Sequence, residues 1–331
     1  MFPNLEMAKS RKLLTDKTRE FFDTNGFLEV ETPIMNPIPG MEPHLSPFET
    51  KLILQNGQTT NLYLNTSPEL QMKKLLGAGF GNIYNITKVF RNGEIGGGRH
   101  NPEFTMIEWY RYDSDYKKLM EDCENLTLHL AGKEKIEFNS KEIKLAKPWT
   151  RKTVNELFIE KCDIDLEKYK TYESLKEVAE KSGLSTEACN DWDEIFYKIF
   201  LNEIEPDLGT EKPIFVYDYP ASQAALSKKK ADNPFWAERF ELYIGGMELS
   251  NAFSELIDPE EQKVRLQEEQ DLRKKLNKTV FDIDGEFLEG LKSIQRPCAG
   301  IALGLDRLFM LLMNKQKIED VLLFPLGNYI K

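Results

Sequence analysis

The chain has 331 residues, 40% hydrophobic and 30% charged, which is the composition of a soluble globular protein with room for one large core or two ordinary ones. Its formal net charge of −11 argues against a protein that grips nucleic acid through phosphates alone, although local basic patches stay open. No stretch suits a signal peptide or a membrane span, and the scattered Cys123, Cys162, Cys189, Cys298, His44, His100 and His129 give neither a zinc nor a disulfide pattern, so a reduced, cytoplasmic protein without membrane contact is expected.

In chain order, residues 5–24 read as a helix stopped by Asn25-Gly26, a good C-terminal signal. FLEVETP alternates in character and reads as a strand ended by Pro33. GAGFGN at 77–82 mimics a dinucleotide loop, but it ends in Asn82 and follows a helix-like stretch, so it reads as a helix stop and turn. GNIYNITKVFRN and EFTMIEWYRYD look like two strands flanking a glycine-rich loop, and residues 115–131 look helical. Residues 150–205 are charged and helix-rich, a candidate insertion. KPIFVYDYP and ERFELYIGGMELSNAFSEL return to strand character, and residues 259–278 read as a charged helix. CAGIALGLDRLFMLLMNKQ reads as a glycine-rich strand or turn running into an apolar helix. SKKK at 227–230 and RKKLNK at 273–278 read as solvated faces. Neighbouring strands look hairpin-connected and helices intervene irregularly, which favours an α+β fold, a mostly antiparallel sheet flanked by helices. With no internal repeat and no low-complexity segment, residues 1–331 read as one domain.

Three stretches carry candidate chemistry. In a strand every second side chain shares a face, so Phe104, Met106, Glu108 and Tyr110 lie together, opposite Thr87, Val89 and Arg91. An aromatic ring, a carboxylate, a phenol and a guanidinium then converge below a mobile loop. The planar fork of Arg91 suits a phosphate or carboxylate, and Phe104 suits a base. A half-buried hairpin with ordinary surface charges fits the same pattern. In the second stretch, a tight turn at Gly245-Gly246 sets Tyr243 against Glu248 and Glu241 against Ser250. Glu241 and Glu248 become diagonal neighbours roughly 7–8 Å apart, unfavourable without a cation between them. Mg²⁺ with nucleotide phosphates meets that need, as does a merely solvated acidic edge. Asn251, Phe253 and Glu255 share a face, but this register puts them opposite Glu248, so either they serve another layer or a bulge near 249–251 re-aims them. In the third, GIALGLDR, Gly300 and Gly304 permit close backbone approach. Arg307 falls in the first turn of the following helix, where a phosphate is welcome and where an arginine paired with an acid is equally at home.

In this order, GFLEVETPIMNPIPG, VFRNGEIGGGRHNPEFTMIEWY and GIALGLDR resemble motifs 1, 2 and 3 of class II aminoacyl-tRNA synthetases. TSPELQMKKLL and FELYIGGMELSNAFSEL are similar to the lysyl-tRNA synthetase branch, and the likeness runs from about residue 7 to residue 326. The chain starts with the helix before motif 1, so no N-terminal anticodon-binding OB domain is expected. HLSPFET, YPASQAALS and Ala302, where tRNA-charging lysyl enzymes typically have glycine, resemble the elongation factor P–lysine ligase family, a paralogue of lysyl-tRNA synthetase. The resemblance implies ATP and Mg²⁺ as cofactors, with Arg91 and Arg307 as catalytic residues on the α- and γ-phosphates. It implies Phe104 stacked on adenine, His100 near the phosphates, and Mg²⁺ on Glu241 and Glu248. Glu69, Glu108, Tyr110, Asn251 and Glu255 would read the amino acid, with Ala302 shaping the pocket for (R)-β-lysine or lysine. The loop from Arg91 to His100 is one residue longer than the usual motif 2 pattern, and NGEIGGG replaces the usual NEE or NEG start, so Glu94 is taken for the family glutamate at the ATP site. The implied reaction is formation of an aminoacyl-adenylate and transfer to a lysine of elongation factor P, by a homodimer joined through motif 1, with tRNA not expected as a partner. A minimal lysyl-tRNA synthetase and a non-catalytic synthetase-like regulator are the alternatives.

Overall fold

The structure, a computed structural model, describes residues 4–224 and 226–330. Ala225 of YPASQAALS, and residues 1–3 and 331 of the expected domain, lie outside the described residues. Helix α1 (Leu5–Thr24) starts where the Asn4 side chain accepts from the N–H groups of Glu6 and Met7. Its buried face is Met7, Leu14, Thr18, Phe21 and Phe22, a helical spacing. It stops as expected, with Asn25 as cap and Gly26 at φ +78°. The expected strand at 27–33 shrinks to β1 (Leu28–Glu29). Beyond Val30 the link to the neighbouring strand passes to side chains, Asn85 Nδ2 donating to Thr32 Oγ1, and Pro33 has no N–H to continue a ladder.

β2 (Met35–Asn36), β3 (Glu49–Ile53) and β4 (Thr59–Leu64) make a small sheet in the order β2-β4-β3. Helix α2 (Glu69–Gly77) leads into β5 (Ile83–Phe90) and β6 (Glu103–Tyr112), the predicted hairpin. Helix α3 (Tyr116–Ala131) is capped by Asp115 and ends on Gly132 at φ +62°. β7 (Lys135–Phe138) and β8 (Lys141–Lys144) form a separate hairpin before β9 (Thr150–Thr153). Helices α4 (Val154–Cys162), α5 (Tyr172–Lys181) and α6 (Trp192–Ile199) occupy the helix-rich stretch and bury Leu157, Phe158, Leu175, Ile195 and Phe196 in a cluster of their own. The chain then runs through β10 (Ile214–Pro220), β11 (Trp236–Ile244), β12 (Met247–Ser254), α7 (Pro259–Lys275), α8 (Gly285–Ser293), β13 (Cys298–Gly304) and α9 (Leu305–Leu312).

The main sheet has eight strands in the order β1-β5-β6-β13-β12-β11-β10-β9. Every pairing from β5 to β10 is antiparallel, and only the edge strands β1 and β9 run parallel to their neighbours, so the expected α+β fold with a mostly antiparallel sheet is what forms. One face of the sheet supplies Tyr84, Ile107, Trp109, Phe240, Leu242, Ala252, Ile301 and Leu303 to a core closed by α1, α3 and α9. The other face is left to the candidate site. There, in-register pairing lines up Asn85, Glu108, Ala302, Asn251 and Glu241 across five strands, with a second row of Ile83, Tyr110, Gly300, Phe253 and Arg239 beside it.

One expectation for the solvated stretches fails. Arg273 of RKKLNK is buried, donating to the carbonyls of Thr279, Glu42 and Leu45 and stacking on Phe281, because three carbonyl acceptors and a ring replace the water its guanidinium gives up.

Candidate active site

A cleft of about 280 Å³ opens on the free face of the sheet, and its two ends have opposite polarity. One end is cationic. The Arg91 guanidinium, just past β5, lies 5.3 Å from the Phe104 ring centre. Arg307, in the first turn of α9, donates from Nη1 to the Glu248 carbonyl at 2.9 Å and brings Nη2 to 3.4 Å from His100 Nδ1. Glu94 sits among these cations, with Oε1 at 3.7 Å from Arg91 Nη1 and Oε2 at 3.3 Å from His100 Nδ1. Burial acts to raise its carboxyl, but the His100 contact and the charges of Arg91, His100 and Arg307 hold it below the usual carboxylate range. A cluster that organises one carboxylate this way is suited to the several charges of a polyphosphate.

The other end is acidic. Glu108 accepts from Tyr110 at 2.6 Å and from Ser67 at 2.7 Å. Lys73 Nζ lies 2.6 Å from both Glu69 Oε1 and Glu255 Oε2, and its ammonium is stabilised between them despite its burial. One lysine does not balance three carboxylates. Burial, reinforced by Glu69, pushes Glu108 up to about 8. Burial likewise pushes Glu255 up to about 8, outweighing the Lys73 charge. Carboxyls held protonated near neutrality for want of cations are what a ligand bearing ammonium groups would ionise. The floor between them is backbone. A Cβ on Gly300 would collide with the Tyr110 ring and with Glu255 Oε1, so only glycine fits there. Gly304 meets nothing closer than Arg307 Cδ at 3.7 Å, so the close approach expected of it is not needed.

The β11–β12 hairpin departs from the even register and takes the bulge expected as the alternative near 249–251. Gly245 and Gly246 do form the tight turn, with φ of +65° and +70°, and Tyr243 does face Glu248. Glu241, however, pairs with Asn251 rather than Ser250, because Leu249 is an extra residue between the Leu242–Ser250 and Tyr243–Glu248 pairs. This bulge puts Glu248 and Asn251 on the cleft face together, which an even register forbids. Glu248 lines the cleft, and burial together with the neighbouring Glu241 pushes its carboxyl up to about 7. Two carboxylates in this relation fit a divalent cation that relieves their repulsion. Among the described residues no cluster of three or more His, Cys, Asp or Glu side chains would hold a metal, so such a cation would draw further ligands from phosphate and water.

Of the residues singled out in the sequence, Glu69, Arg91, Glu94, His100, Phe104, Glu108, Tyr110, Glu248, Asn251, Ala302 and Arg307 line this one cleft. Glu255 and Glu241 stand behind the lining. Glu255 is locked to Lys73, while Glu241 accepts from Arg239 at 2.6 Å, Tyr219 at 2.6 Å and Tyr243 at 2.7 Å. The sequence reading missed Ser67, Lys73 and Asp306. The i,i+4 spacing of Glu69 and Lys73 was a usable signal. Asp306 bonds the Thr105 N–H at 2.7 Å and Arg11 Nη1 at 2.7 Å, which fixes the start of α9 and so the base of Arg307. No local pattern announces that contact.

A family model of class II tRNA synthetases (D, K and N) matches residues 4–328. The elongation factor P–(R)-β-lysine ligase of Yersinia enterocolitica is 39% identical over 324 residues, covering 96% of this chain and 94% of that protein. That of Proteus mirabilis is 39% identical over 323 residues, with the same coverage of 96% and 94%. The lysine–tRNA ligase of Pelotomaculum thermopropionicum is equally similar, 39% over 327 residues, but this chain spans 63% of its length. The matched span contains both rims of the cleft, its floor and the helix that carries Arg307, and on that basis the chain belongs to the class II tRNA synthetase family of the D, K and N type.

Proposed function

We propose that this protein is an ATP-dependent ligase that activates (R)-β-lysine, or lysine, as an aminoacyl-adenylate and transfers it to a lysine side chain of elongation factor P. The observation that carries the reading is the polarity of the cleft: a cationic end for the triphosphate and an acidic end for a diamino acid, joined on one sheet face. In the first step the substrate carboxylate oxygen attacks the α-phosphorus of ATP in line. The bond to the β-phosphate oxygen breaks, releasing pyrophosphate and leaving the acyl-adenylate. Arg91 and Arg307 stabilise the charge that builds on the phosphate oxygens, His100 orients beside them, and Phe104 stacks the adenine. Mg²⁺ held by Glu241 and Glu248 would add charge neutralisation there. Glu69, Glu108, Tyr110 and Glu255 bind the ammonium groups. In the second step the acceptor amine attacks the acyl carbon, the bond to AMP breaks, and an amide, AMP and a proton result.

Ala302 lies directly between Glu108 and Asn251, so its methyl faces the substrate. A methyl in such a pocket is worth about 1–3 kcal/mol of discrimination. The exposed Leu28, Ile34 and Met35 within GFLEVETPIMNPIPG support a homodimer through motif 1. A second reading, transfer to tRNA, is favoured by the equal identity to lysine–tRNA ligases. The deciding experiment is the intact mass of elongation factor P after incubation with the protein, ATP, Mg²⁺ and either lysine isomer, with tRNA charging followed in parallel. A lysyl-sized mass gain, faster with (R)-β-lysine and with tRNA uncharged, is the expected result. Charged tRNA with unmodified factor would transfer the assignment to tRNA. Absence of pyrophosphate exchange with every lysine isomer would leave a non-catalytic protein.

A further inference from the structure

Arg239 of β11 does not line the cleft, yet it holds two residues that serve it. Its side chain is 12% exposed and stacks 4.5 Å from the centre of the Tyr219 ring. Nε donates to Asn251 Oδ1 at 2.9 Å, Nη2 to Glu241 Oε1 at 2.6 Å, and Nη1 to the Gln223 carbonyl at 2.6 Å. Gln223 is in turn tied to the insertion, donating from Nε2 to Asp193 at 2.8 Å.

A guanidinium can only donate, so the Asn251 atom it faces is the amide oxygen. The amide N–H₂ therefore points the other way, on a residue that lines the cleft. Asn251 then offers donors to the substrate. It suits a carboxylate or phosphate oxygen and is the wrong partner for an ammonium. The same fork occupies one oxygen of Glu241 while the Tyr219 and Tyr243 hydroxyls occupy the other, so this carboxylate has one orientation.

We propose that Arg239 is a positioning residue: its rigid fork turns the Asn251 N–H₂ toward the carboxylate or phosphate oxygens at the reacting end of the substrate and fixes the Glu241 carboxylate beside Glu248. The inference rests on the function proposed above and adds a residue and a polarity to it. Lysine offers a point charge rather than three donors in a plane, so it replaces only part of this arrangement.

The test compares R239Q, R239K and N251D with the native protein. ATP–pyrophosphate exchange is measured against the concentration of each lysine isomer, and Mn²⁺ binding in the presence of ATP is followed by water-proton relaxation. R239Q is expected to raise the amino-acid KM by about tenfold or more, the size of a lost charged hydrogen bond, and to weaken Mn²⁺ binding, with R239K in between. N251D keeps an oxygen for Arg239 but presents a second oxygen to the cleft, so a rise in KM as large as that of R239Q supports the assigned polarity. A lower melting temperature with KM and Mn²⁺ affinity unchanged would overturn the proposal, since a purely structural arginine lowers only the active fraction. Should R239Q fail to fold, R239K and N251D carry the test. Absence of exchange in the native protein sinks the proposed function, and the Mn²⁺ comparison, which needs no turnover, still decides the role of Arg239.

Discussion

Glu108 receives two hydroxyl donors and still holds its proton near neutrality, because burial and the Glu69 charge outweigh Tyr110 and Ser67. That has a signed consequence for binding. The raised carboxyls at about 8 on Glu108 and Glu255 are protonated in the empty cleft at lower pH. A ligand carrying ammonium groups favours their ionised forms, so binding releases protons below about pH 8 and affinity climbs as pH rises toward that value, by roughly tenfold per unit for each proton released. Above it the carboxyls are already ionised and the climb stops. Calorimetric titration of lysine near pH 6.5, in buffers of different ionisation enthalpy, should show proton release that falls in E108Q to the share left by Glu255. Flat affinity and no release would mean that the empty site is already ionised. The alternation of strand β6 made Glu108 and Tyr110 readable in the sequence as neighbours. The charge deficit was not readable, since it depends on Lys73 being buried between Glu69 and Glu255 while the adjacent Lys74 pairs with Asp284 and Glu286 outside.

Elements obey constraints that no single side chain shows. The β11–β12 hairpin was legible to its turn, because Gly245-Gly246 is a local signal, and to a bulge near 249–251 as one of two alternatives, but the choice of the bulge rests on the need to seat Leu249 and Ala252 in the core while Glu248 and Asn251 face the cleft. Helices α2 and α8 meet by a similar compromise. A Cβ on Gly77 would run into the Gly290 carbonyl and stand 2.9 Å from its Cα, a backbone that cannot swing aside. G77A should therefore push α8 away, loosen Phe287 and Leu291 from Met72 and Leu76, and cost about 1–3 kcal/mol of stability. G290A is the control. Its Cβ would meet the Lys74 backbone at 3.4 Å, ordinary contact, so its melting temperature should stay at or slightly above the native value. Equal losses from both variants would mean that the close approach at Gly77 is not what limits the packing.

At the scale of the whole molecule, the central antiparallel strands were legible because each alternates and β11 joins β12 by a tight turn, although β13 comes between β6 and β12 from far along the chain. The parallel edges were not: β9 pairs with β10 only across the helices α4–α6, and such a crossover leaves no short-range trace. Charge is the other global quantity, and it bears on the acceptor. Binding through a phosphate backbone gains mainly from counterions released by lysines and arginines, and a chain of formal net charge −11 begins at a disadvantage. The cations it gathers at Arg91 and Arg307 lie inside the cleft, sized for one triphosphate rather than spread over a surface. An excess of tRNA at physiological salt should therefore leave the rate of the proposed elongation factor P modification within about twofold, because the competing phosphates find too few contacts outside the cleft. Inhibition that deepens steeply as salt is lowered would instead reveal a basic track leading to the site. Acceptor choice would then rest on competition at a shared surface, and the acidic balance of the chain would have misled the assignment.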